Sequence, residues 1–149
     1  MIYVGGGNTA NMLAVWRVHG ADRALRAAWE AGVVLCGVSA GANCWFEAST
    51  TDSFLRGRAD PLPDGLGFLR GSYCPHYDGE PSRRPAFRAL IAAGTLPPGV
   101  ACDDGTAAHF VGTESHEAVT SGDGAAAYLL RPEGGDVVEE PIATRRLSG

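Results

Sequence analysis

Apolar runs of strand length alternate with glycine turns and helical spacings through the first third of the chain. Met1 to Val4 leads straight into Gly5-Gly6-Gly7-Asn8-Thr9, a pattern of strand, glycine turn and polar helix cap. Met12, Leu13, Val15, Trp16 and Val18 supply the apolar side of the helix that follows, which ends near His19-Gly20. Ala24, Leu25, Ala28 and Trp29 mark a second helix, closing at Gly32. Val33 to Gly37 is again apolar and reads as a strand, and a helix-permissive segment from Ala40 to Ala48 comes after a small-residue turn. Strand, helix, helix, strand calls for a parallel pair joined by a right-handed crossover.

The pattern then changes. Residues 49 to 68 are rich in Ser, Thr, Asp, Gly and Pro and read as loop. Leu66 to Tyr73 holds a short strand that ends at Cys74-Pro75-His76-Tyr77. Phe87, Leu90 and Ile91 fall on one side of a helix from about Arg83 to Ala93, and Pro97-Pro98-Gly99 ends that unit. Beyond it, Val100–Cys102, Ala107–Val111, Ala118–Thr120, Ala126–Leu130 and Val137–Ile142 are short runs between Asp, Gly and Ser turns. They predict an antiparallel meander. The expectation is one α/β domain over residues 1–142 and a frayed tail over 143–149. A first strand beginning at Met1 leaves a narrow parallel sheet with open edges, which folds normally cover. A homodimer is therefore expected.

Composition narrows the class. The 149 residues are 45% hydrophobic and 19% charged, ordinary values for a soluble globular chain. The net charge of -5 argues against nucleic acid or an anionic membrane as partner. No apolar run approaches the ~20 residues of a membrane span, and no basic stretch precedes an apolar leader. Cys36, Cys44, Cys74 and Cys102 are scattered without a C-x-x-C pair, as expected of small hydrophobes in a reduced compartment. A cytoplasmic location follows as the expectation, with neither cofactor nor metal called for.

Gly37-Val38-Ser39-Ala40-Gly41 fits G-x-S-x-G. In that turn a strand bends so sharply into a helix that only small residues fit around the serine. The serine hydroxyl would then stand clear of the sheet, with the Ala40 N–H pointing at whatever it attacks. The plain alternative is a βα turn with a capping serine. A nucleophilic serine needs a base, and the base an orienting carboxylate. His19 lies at a helix end, His109 reads as packed in a strand, and His116 lies in a polar turn. His76, after Pro75 and past an apolar run, is the one placed to serve as base. Asp52 is the first candidate acid, with Glu47, Asp103 and Asp104 as alternatives. The Gly5-Gly6-Gly7 turn lacks the spacing of a phosphate loop and suits a second oxyanion donor.

Taken together and in order, Val4-Gly5-Gly6-Gly7-Asn8-Thr9, Gly37-Val38-Ser39-Ala40-Gly41-Ala42-Asn43 and Pro75-His76 resemble the peptidase E (aspartyl dipeptidase) and cyanophycinase family of serine peptidases. The resemblance runs from Met1 to about Leu130. It implies a class I glutamine-amidotransferase-like, flavodoxin-like parallel sheet flanked by helices, here in a short form without the βα region that family members carry ahead of the glycine turn. It implies Ser39 as nucleophile, His76 as base and acid, and Asp52 as orienting acid, with Gly7 and Ala40 forming the oxyanion hole. Dipeptides with N-terminal aspartate would be the substrates, cleaved without metal or cofactor. An aspartyl side chain needs a cation, best an arginine. Arg83, then Arg84 and Arg88, are the candidates, with Asn8 as a further contact. Two other readings stand beside it. One is a serine hydrolase acting on another amide or ester, and the other a non-catalytic binding or regulatory module on the same fold.

Overall fold

The structure, a computed structural model, describes residues 1–55 and 57–147. The chain opens with strand β1 (Ile2–Val4), helices α1 (Thr9–His19) and α2 (Ala21–Glu30), and strand β2 (Leu35–Gly37). Asn8 caps α1, its Oδ1 accepting from the Asn11 N–H at 2.9 Å. Gly20 ends α1 in the left-handed region at φ 74°, its N–H bonded to the Trp16 carbonyl. β1 and β2 pair in parallel, Ile2 opposite Leu35 and Val4 opposite Gly37. This is the strand–crossover–strand unit that the first third of the sequence calls for.

After the Ser39 turn, α3 (Ala40–Asn43) lasts four residues, and the helix expected to reach Ala48 gives way to β3 (Phe46–Thr51). Burial decides this. Phe46 and Ala48 to Thr51 are all buried, so the segment is covered on both faces, and its aromatic Phe46 and β-branched Thr50 and Thr51 suit a buried strand better than a helix. The stretch expected to be loop therefore contains the second half of β3 and also β4 (Asp60–Leu62). β4 carries Pro61 at the sheet margin, where a missing N–H is tolerated.

β5 (Leu69–Cys74), α4 (Arg83–Ala92) and β6 (Gly99–Cys102) follow. A six-stranded mixed sheet then forms in the order β10-β9-β6-β5-β3-β4, with β9 at Ala127–Glu133 and β10 at Asp136–Ile142. β3, β5 and β6 run parallel, Ser49 opposite Tyr73 and Tyr73 opposite Val100. β4 and the β9–β10 hairpin join antiparallel at the two sides. The expected meander is thus interrupted. β7 (Thr106–Val111) and β8 (Glu114–Thr120) leave the main sheet as a hairpin. The segment expected to fray supplies β11 (Thr144–Arg146), which pairs in parallel with β8. Ser148 and Gly149 lie outside the described residues.

Two apolar clusters hold these layers together. One gathers Leu13, Trp45, Phe46, Phe68 and Tyr73, with Phe46 stacked on Tyr73 at 4.8 Å. The other seats Phe87 and Ile91 of α4 with Tyr77, Leu96 and Leu130. Phe87 and Ile91 are one helical turn apart, and each contributes about 1.5–3 kcal/mol by burial. The architecture is mixed α/β, with parallel and antiparallel sheets and flanking helices. Among the described residues no helix is long and apolar enough to cross a membrane.

Candidate active site

Backbone contacts explain the glycines on either side of Ser39. A Cβ on Gly37 would collide with the Gly41 carbonyl, and one on Gly41 with the carbonyls of Val4 and Gly5. The turn is pressed against the end of β1, so both positions must lack a side chain. Ser39 itself has φ 55° and ψ -116°, a backbone state that costs a non-glycine residue on the order of 1–3 kcal/mol. The neighbouring glycine turn lies alongside, where a Cβ on Gly6 would sit 3.4 Å from Ser39 Cβ and 3.9 Å from its Oγ. Gly7 has φ 146°. Ala40, buried, begins α3 directly after the serine.

His76 follows the C-terminal end of β5. It also has a positive φ, 55°, and its Nδ1 lies 2.6 Å from Asp104 Oδ1. The sheet register brings the two together. Cys74 of β5 lies opposite Ala101 of the adjacent parallel strand β6, so the residues just beyond each strand end share one edge of the sheet. Asp104 is fixed in turn: its N–H donates to Asp78 Oδ1 at 2.8 Å, and its carboxylate lies over Gly79, where a Cβ would strike it.

Asp52, the first candidate for this role, is placed otherwise. It leaves the end of β3, on the opposite side of β5, and its Oδ1 lies 3.7 Å from Nη2 of Arg83. Glu47 Oε2 accepts from the Gly71 N–H at 2.7 Å. Asp103 is buried and accepts from the Ala126 N–H at 3.0 Å, and burial raises its pKa from the ordinary aspartate value. Of the four acids considered, Asp104 is the one hydrogen-bonded to His76.

The candidate specificity arginines are engaged within the protein. Arg83 is 3% exposed. Its Nε donates to Glu80 at 2.6 Å and its Nη1 to the Thr50 carbonyl at 3.0 Å. Arg84 pairs with Glu139 and lies over the rings of Tyr77 and Tyr128, and Arg88 reaches Glu139 and Asp136. Asn8, besides capping α1, donates from Nδ2 to the Ser53 carbonyl at 2.9 Å.

Ser39, His76 and Asp104 line one cleft of about 880 Å³, walled by β2, the length of β7 and apolar groups including Trp45, Phe68 and Phe110. None of Arg83, Arg84 and Arg88 is among its lining residues. Burial pushes the thiols of Cys44 and Cys74 up to about 12 and that of Cys102 to about 11, so they stay protonated.

Comparison with known proteins decides the family. The profile of Peptidase family S51 matches residues 1–118. The chain belongs to peptidase family S51. It is 48% identical to the uncharacterized peptidase YgaJ of Bacillus subtilis (strain 168) over 149 residues, which are 99% of this chain and 63% of that protein. The S51 match contains the glycine turn, the serine turn, His76 and Asp104. The chain spans a little under two thirds of the length of this relative.

Proposed function

We propose that this S51 chain is a serine peptidase whose triad is Ser39, His76 and Asp104. The observation that carries the reading is the 2.6 Å His76–Asp104 hydrogen bond on the same cleft as a serine in a strained turn. With Nδ1 facing the carboxylate, His76 is left with Nε2 for the serine, the division of labour that a base of this kind needs. Ser39 Oγ attacks the scissile carbonyl as Nε2 takes its proton, and the tetrahedral oxyanion forms. Collapse breaks the C–N bond as His76 returns the proton to the leaving amine. Water, deprotonated by the same nitrogen, then releases the acid from the acyl-enzyme. The Ala40 N–H and an N–H of the glycine turn, Gly7 being the expected donor, receive the oxyanion; each such donor lowers the barrier by about 3 kcal/mol. Among the described residues Ser39 Oγ makes no hydrogen bond, and the proposed mechanism requires a Ser39–His76 hydrogen bond to form when substrate arrives.

The proposed substrates are small peptides. The aspartyl preference implied by the resemblance would require Arg83 to turn from Glu80 and Asp52 toward the cleft. The apolar lining instead favours an uncharged residue beside the scissile bond. We likewise propose the flavodoxin-like arrangement as the frame of the whole protein, because β1 and β2 already form its parallel strand–crossover–strand unit. The deciding experiment is release of p-nitroaniline from aspartyl, alanyl and leucyl anilides by the parent protein and Ser39→Ala. Turnover should fall by on the order of 10⁴-fold or more in the variant. Retained activity in pure Ser39→Ala protein would overturn the assignment. Selective release from the aspartyl anilide would place a cation in the cleft, and broad or apolar-selective release would leave Arg83 in its internal role.

A further inference from the structure

The β7–β8 hairpin carries a feature that the peptidase reading does not use. Its strands pair from Thr106–Thr120 to His109–Glu117, and then the register slips so that Phe110 faces Ser115. His116 is the extra residue of this bulge. Regular alternation would send His116 and Glu117 to opposite faces of the sheet. A bulge re-aims side chains, and here both are brought to His109. His109 Nδ1 lies 3.7 Å from Glu117 Oε1, and the His109 and His116 rings meet edge to face with centroids 5.2 Å apart. One donor atom from each of the three residues lies within 4.8 Å of the other two.

We propose that this bulge binds a divalent transition-metal ion through His109, His116 and Glu117. Two imidazoles and one carboxylate match the preferences of zinc, nickel and cobalt rather than those of magnesium or calcium. Three protein ligands leave a further position for water. Ligand bonds of about 2.0–2.1 Å require the donors to draw closer together than they are here. Both histidines are exposed, so rotation of their side chains closes the gap without moving the backbone.

Glu117 suits the role although it is already paired. Arg145 donates to both of its oxygens, from Nε and Nη2, each at 2.9 Å. Each carboxylate oxygen has a second lone pair free for the ion, and ligating carboxylates are commonly oriented by such outer hydrogen bonds. His109 also lines the cleft, which puts the ion at the rim of the proposed peptidase site.

Calorimetric titration of the 149-residue chain with Zn²⁺ and with Ni²⁺ tests the proposal, with His109→Ala, His116→Ala and Cys36→Ser alongside. One ion should bind per chain. Each histidine variant should weaken it by at least about tenfold, while Cys36→Ser leaves it unchanged. Imidazole NMR of the parent chain should show His109 and His116 shifting together on addition of Zn²⁺, an observation that does not depend on how the variants fold. Absence of binding, affinity unchanged within about twofold in both histidine variants, or a response confined to Cys36 or His76 would overturn it.

Discussion

Ser39 and His76 are the two non-glycine residues with positive φ among the described residues, both at 55°, and both line the one cleft. Such conformations persist only where the surroundings over-determine them. Here Gly37 and Gly41 clamp the first, and the second is tied by the Asp104 hydrogen bond and by its own carbonyl, which accepts from the Glu80 N–H at 3.1 Å. The role of the acid can be tested at this scale. Asp104→Asn leaves the shape of the site but presents an amide to His76, which favours the wrong tautomer. The kcat for a cleaved anilide should fall by on the order of 10²–10⁴-fold with KM little changed. Asp52→Asn should leave kcat near that of the parent, because Asp52 faces Arg83 rather than His76. The opposite outcome would return the orienting role to Asp52.

At the scale of elements, the elbow is held by the packing of β1 against α3 rather than by helix propensity, since α3 is a single turn. Gly41 has no positive φ to explain it; the carbonyls of Val4 and Gly5 do. Gly41→Ala should therefore destabilise the chain by about 1–3 kcal/mol, the cost of overpacking a site that cannot yield. A lowered urea midpoint at unchanged slope would show it. A midpoint equal to that of the parent would mean that β1 and the turn can separate. Much of this was legible in the sequence because glycine, serine and apolar runs act locally. The β1–α1–α2–β2 unit, the Ser39 turn and α4 all follow from such local signals. What escaped depended on partners distant in sequence. Phe46–Thr51 is a strand because β4 and β5 lie on its two sides, and Thr144–Arg146 is ordered by pairing with β8. The acid was ambiguous for the same reason. Asp52 and Asp104 leave the strands on the two sides of β5, and only the positions of their side chains tell them apart. The His109–His116–Glu117 group needs the register slip of one hairpin, which no spacing in the sequence announces.

At the scale of the molecule, β1 and β2 form a two-stranded sheet separate from the six-stranded one among the described residues. Two strands alone are marginally stable in water, yet this pair carries the Ser39 turn at its end. Its surface is also apolar: Tyr3 is 62% exposed and Val34 63%, with Val38 exposed beside the turn. An open, apolar strand edge is a template for pairing with another chain. We therefore propose that the 149-residue chain covers this edge with a second copy, which would make formation of the cleft depend on association. Light scattering behind size exclusion should give twice the mass of the chain. Val34→Lys, which sets like charges facing each other across a two-fold contact, should shift it to the mass of one chain and lower anilide turnover in parallel. A parent chain that is monomeric and fully active at sub-micromolar concentration would show instead that packing of α1, α2 and α3 is sufficient to hold the turn, and the dimer proposal would fall while the triad stood.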